Sequence, residues 1–236
     1  AHPPVTFRHE KLKSEQRIPA ARRFIVERGL NEQFDGVHGE VGIIVQGGLY
    51  NALLRALQQV GLADAFGQSA IPLLVLNVTF PLVPEQVADF CVGKRAVLVV
   101  EEGQPDYIEQ EIATLLRRRD IQTRLHGKDL FPMAGEYTGK VMLDAIGRFL
   151  RQSAPQLLPA QVLAPNEPAP AIPDLSRTVP VRPPGFCTGC PERPIFAAMK
   201  LVQKELGEHQ ISADIGCHLF SILPPFNIGG ATMGYG

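Results

Sequence analysis

Three short groups of residues near the end of the chain have the types and spacing to do chemistry. In the first group, Cys187 and Cys190 are separated by two residues and precede an apolar pattern with helical spacing. Two thiols at this spacing can chelate one metal ion or belong to an iron–sulfur cluster. They can also form a redox disulfide, because a helix N-terminus activates a thiol, or pack as small apolar side chains. The spacing alone leaves these alternatives open.

The second group follows a predicted strand and reads Asp-Ile-Gly-Cys-His at positions 214–218. The carboxyl ends of parallel strands are where α/β proteins bind ligands, and Gly216 permits a close backbone approach. Cys217 adds a third thiol, for which a place in the core is the alternative. A zinc site with His209 or His218 as the fourth donor also fits these residues.

The third group is the glycine-rich phrase Gly229–Gly236, which reads Gly-Gly-Ala-Thr-Met-Gly-Tyr-Gly. Bare glycines leave main-chain groups accessible to a flat ring, and Met233 offers a soft apolar contact. A glycine-rich turn that simply precedes a buried helix is the alternative interpretation.

The elements that must position these groups follow an alternating pattern of strands and helices. The predicted strands are short apolar runs at Val41–Val45, Ile71–Leu76, Ala96–Val100 and Thr123–His126. The helices between and after them are predicted to start near Leu49, Pro84, Asp106 and Thr138. Asp106, with Glu109 three residues later, predicts a capping box. The alternation predicts an α/β fold whose mainly parallel sheet is covered on both faces.

The pattern divides the chain into four parts. Residues 1–38 form an arm or connector with a short helix around Pro19–Arg28, and residues 39–151 form the main α/β domain. Residues 152–184 are dense in proline and predict an extended linker. Residues 185–236 begin a second α/β unit. Its helix is predicted to turn four apolar side chains inward, namely Ile195, Phe196, Met199 and Val202.

Composition excludes several classes of protein. Hydrophobic residues make up 45% of the chain, charged residues 20%, and the net charge is −1, which is typical of a soluble globular protein. This balance favours neither nucleic acid nor an anionic membrane as a partner. No apolar stretch is long enough to span a bilayer and no signal peptide is evident, so a cytoplasmic location is expected. Four cysteines do not suggest a disulfide framework, and Cys91 is predicted to lie in the core.

The three groups taken together resemble the start of the diphosphate-binding domain of indolepyruvate–ferredoxin oxidoreductases. The order that carries the resemblance is Phe-Cys-x-Gly-Cys-Pro, then Asp-Ile-Gly-Cys, then Met-Gly. The glycine-rich phrase is also similar to the aminopyrimidine-binding phrase of acetohydroxyacid synthases. Earlier phrases resemble the transketolase C-terminal-like domain of the same oxidoreductase subunit, namely Gly42–Gly47, Pro81–Pro84, Val99–Glu102 and Gly127-Lys128.

The resemblance covers about residues 40–150 and 184–236. It implies a three-layer α/β/α transketolase C-terminal-like domain followed by the start of a thiamine-diphosphate-binding α/β domain. Members of the family oxidatively decarboxylate 2-oxoacids such as indolepyruvate to acyl-coenzyme A and pass electrons through iron–sulfur clusters to ferredoxin. The implied cofactors are thiamine diphosphate, Mg²⁺ and a [4Fe–4S] cluster, with coenzyme A as co-substrate. A second subunit or domain, ferredoxin and a homo- or hetero-oligomer are the implied partners.

The resemblance also assigns site residues. The main-chain carbonyl of Ala231 would accept from the 4′-amino group of the cofactor, the N–H of Met233 would contact the pyrimidine, and the Met233 side chain would hold the cofactor bent. Gly230 and Gly234 flank these residues. The diphosphate or thiazolium side would be lined by Asp214, Ile215, Gly216 and Cys217.

The cluster ligands implied by the resemblance are Cys187, Cys190 and Cys217. Two positions beside them depart from the family phrases: Glu192 stands where the family has histidine, and His218 stands where it has an aromatic residue. These departures put an arylpyruvate substrate in question more than the reaction class.

The fourth cluster ligand and the magnesium-binding segment are expected after Gly236, and the activating glutamate before Ala1. The chain is therefore expected to be a fragment that is inactive alone, and no catalytic residue is assigned. A non-redox thiamine-diphosphate decarboxylase or synthase, a non-catalytic assembly module and a small zinc protein remain alternatives.

Overall fold

The computed structural model describes residues 2–158, 178–179, 183–228 and 230–233, with only the backbone described for Asp214, Thr232 and Met233. The chain divides into two compact units, Ala1–Glu167 and Pro168–Gly236. Most of the predicted proline-rich linker, namely residues 159–177 and 180–182, lies outside the described residues.

The first unit is built on one mixed sheet of five strands. The strands are β1 (Glu32–Phe34), β2 (Val41–Gln46), β3 (Leu73–Leu76), β4 (Ala96–Val100) and β5 (Arg124–His126). Their order across the sheet is β1-β3-β2-β4-β5; β2 to β5 run parallel, whereas β1 pairs antiparallel with β3. The four strands predicted from the sequence therefore share one sheet.

The three central strands are buried on both faces, which explains why they read as continuous apolar runs. Alternate residues point to opposite faces of a strand. Ile43 and Leu98 accordingly belong to one apolar core, and their neighbours Ile44 and Val97 belong to the other.

Helices supply the outer layers over both cores. The helices are α1 (Val5–Leu12), α2 (Ile18–Glu27), α3 (Tyr50–Gln59), α4 (Pro84–Cys91), α5 (Tyr107–Arg118) and α6 (Gly139–Ser153). Leu57 of α3 and Phe149 of α6 lie in the core on one face, and Phe90 of α4 and Ile112 of α5 lie in the core on the other. The unit therefore has three α/β/α layers, as predicted. α6 begins after Thr138, whose side chain accepts from a backbone N–H of the first turn.

The N-terminal region is more helical than predicted and contributes a strand. α1, a π-helical turn (Lys13–Arg17) and α2 follow one another without a break, and Ile25 is the single buried residue among them. The side chain of Arg22 donates to the carbonyl of Leu82 at 2.8 Å. All three residues of β1 are exposed, so backbone pairing with β3, and not apolar burial, brings β1 into the sheet.

The N-terminus of α5 corrects the predicted capping box. The side chain of Asp106 makes no bond to the helix backbone and accepts instead from Gln110 Nε2 at 2.9 Å. Glu101, at the end of β4, takes the expected role, because its two carboxylate oxygens accept from the N–H groups of Ile108 and Glu109 at 3.0 Å each. A buried carboxylate from the sheet thus satisfies two of the free N–H groups of the helix.

Among its described residues, the second unit contains one helix and a small sheet. Its elements are α7 (Glu192–Leu206), β6 (Ser212–Asp214), a 3₁₀ segment (Cys217–Ile222) and β7 (Ala231–Met233). Phe196, Phe226 and Ile228 are its buried apolar cluster. Two residues predicted to face inward, Ile195 and Val202, are exposed.

Among the described residues, no helix is both long and apolar enough to cross a membrane.

Replacing Glu101 by alanine should destabilise the chain, because a buried and a part-buried N–H group of α5 lose their acceptor. We expect the free energy of unfolding to fall by about 1–3 kcal/mol, measured by urea denaturation. Asp106→Ala is the matched control, with an expected change within about 0.5 kcal/mol. A larger loss of stability in Asp106→Ala than in Glu101→Ala would support the capping box and refute the role given to Glu101.

Candidate functional site

The first two thiols flank a tight turn at the start of α7. The N–H of Cys190 donates to the carbonyl of Cys187 at 3.2 Å, and the N–H of Arg193 donates to the carbonyl of Cys190 at 3.3 Å. Gly189 lies inside this turn with φ +76°, a conformation that favours glycine. Cys187 is exposed and Cys190 is half-buried, so both thiols are accessible.

The third thiol follows β6 across a second glycine turn. Gly216 has φ +117°, a value that side chains with a Cβ rarely adopt, and it redirects the chain into the 3₁₀ segment that begins at Cys217. The Cys217 thiol is exposed.

The strands β6 and β7 bring two of the predicted cofactor phrases together. They pair in parallel with Ser212 opposite Ala231 and Asp214 opposite Met233. Both strands therefore end at one edge, and the backbone of residues 214–217 lies beside the end of residues 231–233. Gly229 and Gly234–Gly236 lie outside the described residues.

The backbone of the glycine-rich phrase faces β6 where the phrase begins. The N–H groups of Gly230 and Ala231 both donate to the carbonyl of Ile211, at 3.0 and 3.1 Å. The roles assigned to the Ala231 carbonyl and the Met233 N–H remain predictions.

The three thiols are not gathered into a metal site. Within the part of the chain that the structure describes, no group of three or more His, Cys, Asp or Glu side chains could hold a metal ion. Accessibility nevertheless separates these thiols from the fourth cysteine. Cys91 is fully buried in α4, and burial raises its pKa to about 12, as expected of a core residue.

An aromatic cluster ties the two thiol-bearing segments together. Phe186, which precedes Cys187, has its ring 5.8 Å from that of Phe220 in the 3₁₀ segment. It also lies 5.3 Å from the ring of Phe196 and 5.5 Å from that of Phe226. The turn that carries Cys187 and the segment that begins at Cys217 therefore share one apolar cluster.

In the first unit, two phrases that carried the family resemblance meet at the carboxyl edge of the sheet. Lys128 Nζ donates to the Gly103 carbonyl and to the Tyr137 hydroxyl, at 2.7 Å each. The Tyr137 N–H donates to Glu102 at 2.6 Å, and the Glu102 N–H donates to the side chain of Gln46 at 2.8 Å.

Sequence reasoning missed Gln46 and Tyr137 as members of this network. The pair Glu101-Glu102 directly after a buried strand was the available signal, because two adjacent acids at such a position need partners.

A cleft opens beside the same edge, where the chain leaves β2 and β4 toward opposite sides of the sheet. This is the topological switch point, the usual place for a ligand in such sheets. Its volume is about 680 Å³. Of the described residues that line it, none is lysine or arginine; they are Gln46, Thr79, Phe80, Glu101, Tyr107, Ile108, Gln110, Glu111 and Thr114. An anionic 2-oxoacid would find no counter-charge among them.

A half-buried carboxylate, Glu109, lies in the network near this edge. Burial raises its pKa; the Lys128 N–H, which donates to it at 2.8 Å, lowers the pKa, and the charges of Asp106, Asp129 and Glu101 raise it further. The net effect is a pKa of Glu109 above its ordinary value.

The comparisons with known proteins decide the family. Residues 31–154 match the family described as the indolepyruvate ferredoxin oxidoreductase middle domain. The chain belongs to this family.

Curated relatives extend this family assignment over both units. The indolepyruvate oxidoreductase subunit IorA of Thermococcus kodakarensis is 30% identical over 240 residues, which cover 100% of this chain and 32% of the relative. IorA of Methanothermobacter thermautotrophicus is 30% identical over 231 residues, covering 95% of this chain and 34% of the relative. IorA of Pyrococcus abyssi is 29% identical over 210 residues, covering 87% and 30%. The chain thus spans about a third of the length of these IorA subunits.

Thiol labelling of the folded chain should separate the cysteines by location. We expect a maleimide to modify Cys187 and Cys217 under native conditions, because both are exposed, and to modify Cys91 only in denaturant. Peptide mass mapping after timed labelling measures each site. Native labelling of Cys91 as fast as that of Cys217 would contradict the described fold.

A Glu109→Gln variant should change how stability depends on pH. Because its folded pKa is raised, Glu109 contributes stability that is present below its unfolded pKa and is lost as pH rises through its folded pKa. The variant minus parent free energy of unfolding should therefore become more positive as the pH rises above about 4. Glu111→Gln, at an exposed position of α5, is the control for the loss of one carboxylate from this helix. A flat difference for Glu109→Gln would refute the raised pKa.

Proposed function

We propose that this chain is part of the catalytic subunit of a thiamine-diphosphate-dependent 2-oxoacid oxidoreductase. The enzyme would convert 2-oxoacids related to indolepyruvate into acyl-coenzyme A and transfer electrons to ferredoxin. The observation that carries the proposal is the alignment of the Thermococcus IorA subunit over the whole chain. That alignment includes the thiol and glycine-rich phrases of the second unit as well as the middle domain.

The first unit is proposed to have the transketolase C-terminal-like fold. The mixed sheet, its two helical layers and the network of Gln46, Glu102, Lys128 and Tyr137 support this assignment. Its cleft offers no cation to a 2-oxoacid. We therefore assign this unit a role in packing against other parts of the oxidoreductase, and we place the chemistry in the second unit.

The edge formed by β6 and β7 is proposed to bind the polar end of thiamine diphosphate. A Cβ placed on Gly216 would meet no atom within 4 Å, so the space in front of this residue is open to a ligand. When bound, the cofactor supplies the electron sink for decarboxylation of the keto acid. The chain would bind and orient it through the backbone of residues 214–217 and of residues 230–234. Magnesium ligands would come mainly from other parts of the full-length enzyme.

The accessible thiols are proposed as ligands of a [4Fe–4S] cluster that removes electrons from this site. Cys187, Cys190 and Cys217 belong to one small unit, and the cluster of phenylalanines joins the segments that carry them. Soft thiolates favour iron–sulfur clusters over hard cations. A fourth ligand would come from outside this sequence.

The partners follow from the same assignment. The relatives are named as subunits of an oxidoreductase. We propose that the full-length protein likewise works with a second subunit or domain, uses coenzyme A as acyl acceptor and delivers electrons to ferredoxin.

The substitution Cys217→Ser in the full-length enzyme tests this proposal. After anaerobic purification we expect both iron content and 2-oxoacid-dependent dye reduction to fall, because one cluster ligand is lost. Cys91→Ala is the control and should leave iron content unchanged, since that thiol is buried in the other unit. Unchanged iron and unchanged electron transfer in Cys217→Ser would make Cys217 a packing residue. Zinc in place of iron would refute the cluster.

A further inference from the structure

One polar contact joins the two segments that carry the thiols. His218 Nε2 lies 3.6 Å from Glu192 Oε1. Glu192 is the first residue of α7, two positions after Cys190, and His218 directly follows Cys217. The contact therefore connects the turn before α7 with the loop after β6, through residues adjacent to the proposed ligands.

The surroundings of the pair keep both side chains in place. A carboxylate at the first position of a helix is favoured by the free N–H groups and the helix dipole, which suits Glu192. The Glu192 side chain is 30% exposed, and its second oxygen is buried without a hydrogen-bond partner among the described residues. The His218 ring, whose side chain is 52% exposed, meets the ring of Phe196 edge-on at 6.2 Å.

We propose that Glu192 and His218 form a positioning pair that holds the Cys217 loop against the Cys187–Cys190 turn before any metal binds. The aromatic cluster provides an apolar contact between the same two segments, and the Glu192–His218 pair provides a polar contact. The contact requires a proton on Nε2, which both the charged ring and one neutral tautomer carry. The role of the pair in placing the ligands of an iron–sulfur cluster rests on the proposed function. The contact between the two segments does not.

If the Glu192–His218 contact holds the two segments together, it should raise the effective concentration of Cys217 toward Cys190. A Cys187→Ser background leaves Cys190 and Cys217 as the accessible thiols of the second unit. The rate of their disulfide formation with diamide as oxidant is followed by peptide mass mapping, without metal. Dividing this rate by the maleimide labelling rates of the two single thiols removes any change in their intrinsic reactivity.

The expected effect in this background is a fall of roughly two- to fivefold in effective concentration for Glu192→Ala or His218→Ala, the size typical of a partly exposed ion pair. The double variant should fall no further than either single variant, because both remove the same contact. Exchanging the pair, with Glu192→His and His218→Glu together, should restore much of the loss. Glu205→Ala, exposed near the other end of α7, is the matched control and should have no effect.

Equal values for the parent and the Glu192→Ala variant, or additive losses in the double variant without recovery on exchange, would overturn the proposal. Its failure is distinguishable from failure of the cluster. If the effective concentration falls as expected but Cys217→Ser retains its iron, the pair is correct and the cluster is wrong. If the effective concentration is unchanged but Cys217→Ser loses its iron, the cluster is correct and the pair is not a positioning device.

Discussion

Burial of β2, β3 and β4 on both faces is the constraint on which the first unit depends. A strand without a solvent face must be covered twice, and its backbone groups must pair with neighbours on each side. Parallel pairing of these strands requires connections that cross from one end of the sheet to the other. Those connections are the helices α3 and α4, which cover opposite faces. The three layers are therefore consequences of three apolar runs.

The same constraint decides where polar groups collect. The buried positions of β2, β3 and β4 hold no polar side chain, and the acids that follow β4 lie at the carboxyl edge of the sheet. There Glu101 satisfies the N-terminus of α5, and Glu102 links Gln46 to Tyr137. A buried carboxylate persists at this edge because its oxygens accept from N–H groups that would otherwise be unsatisfied. The network fixes the carboxyl edge of the sheet. Among the described residues that line the cleft beside this edge, no lysine or arginine offers a 2-oxoacid a counter-charge.

How much could be predicted from the sequence depends on the range of the interactions. The strands β2 to β5 and the start of α6 were predictable, because apolar runs and the Thr138 cap are local signals. The strand β1 was not predictable, because its exposed residues Glu32–Phe34 carry no apolar pattern. Backbone pairing with β3 makes this segment a strand. The predicted capping box is wrong for a related reason. The N–H groups at the start of α5 donate to Glu101, at the end of β4, and not to Asp106, which is nearer in sequence.

In the second unit, sequence reasoning found the chemical groups but not their arrangement. The residue types and order of Cys187, Cys190 and Cys217 were visible, whereas the contact between Glu192 and His218 joins positions far apart in sequence. The sequence offered those two only as separate departures from a family phrase. The parallel register of β6 and β7 likewise places Asp214 opposite Met233, a relation that no local pattern encodes.

We propose that the thiols of the second unit carry electrons away from the cofactor, so that the full-length enzyme is an oxidoreductase and not a simple decarboxylase. The most direct test measures, on anaerobically purified full-length enzyme, the electrons delivered to ferredoxin for each carbon dioxide released from a 2-oxoacid. Thiamine diphosphate, magnesium and coenzyme A are supplied. We expect two electrons on ferredoxin for each carbon dioxide released, with both products lost when thiamine diphosphate is withheld. Carbon dioxide release without reduction of ferredoxin would contradict it.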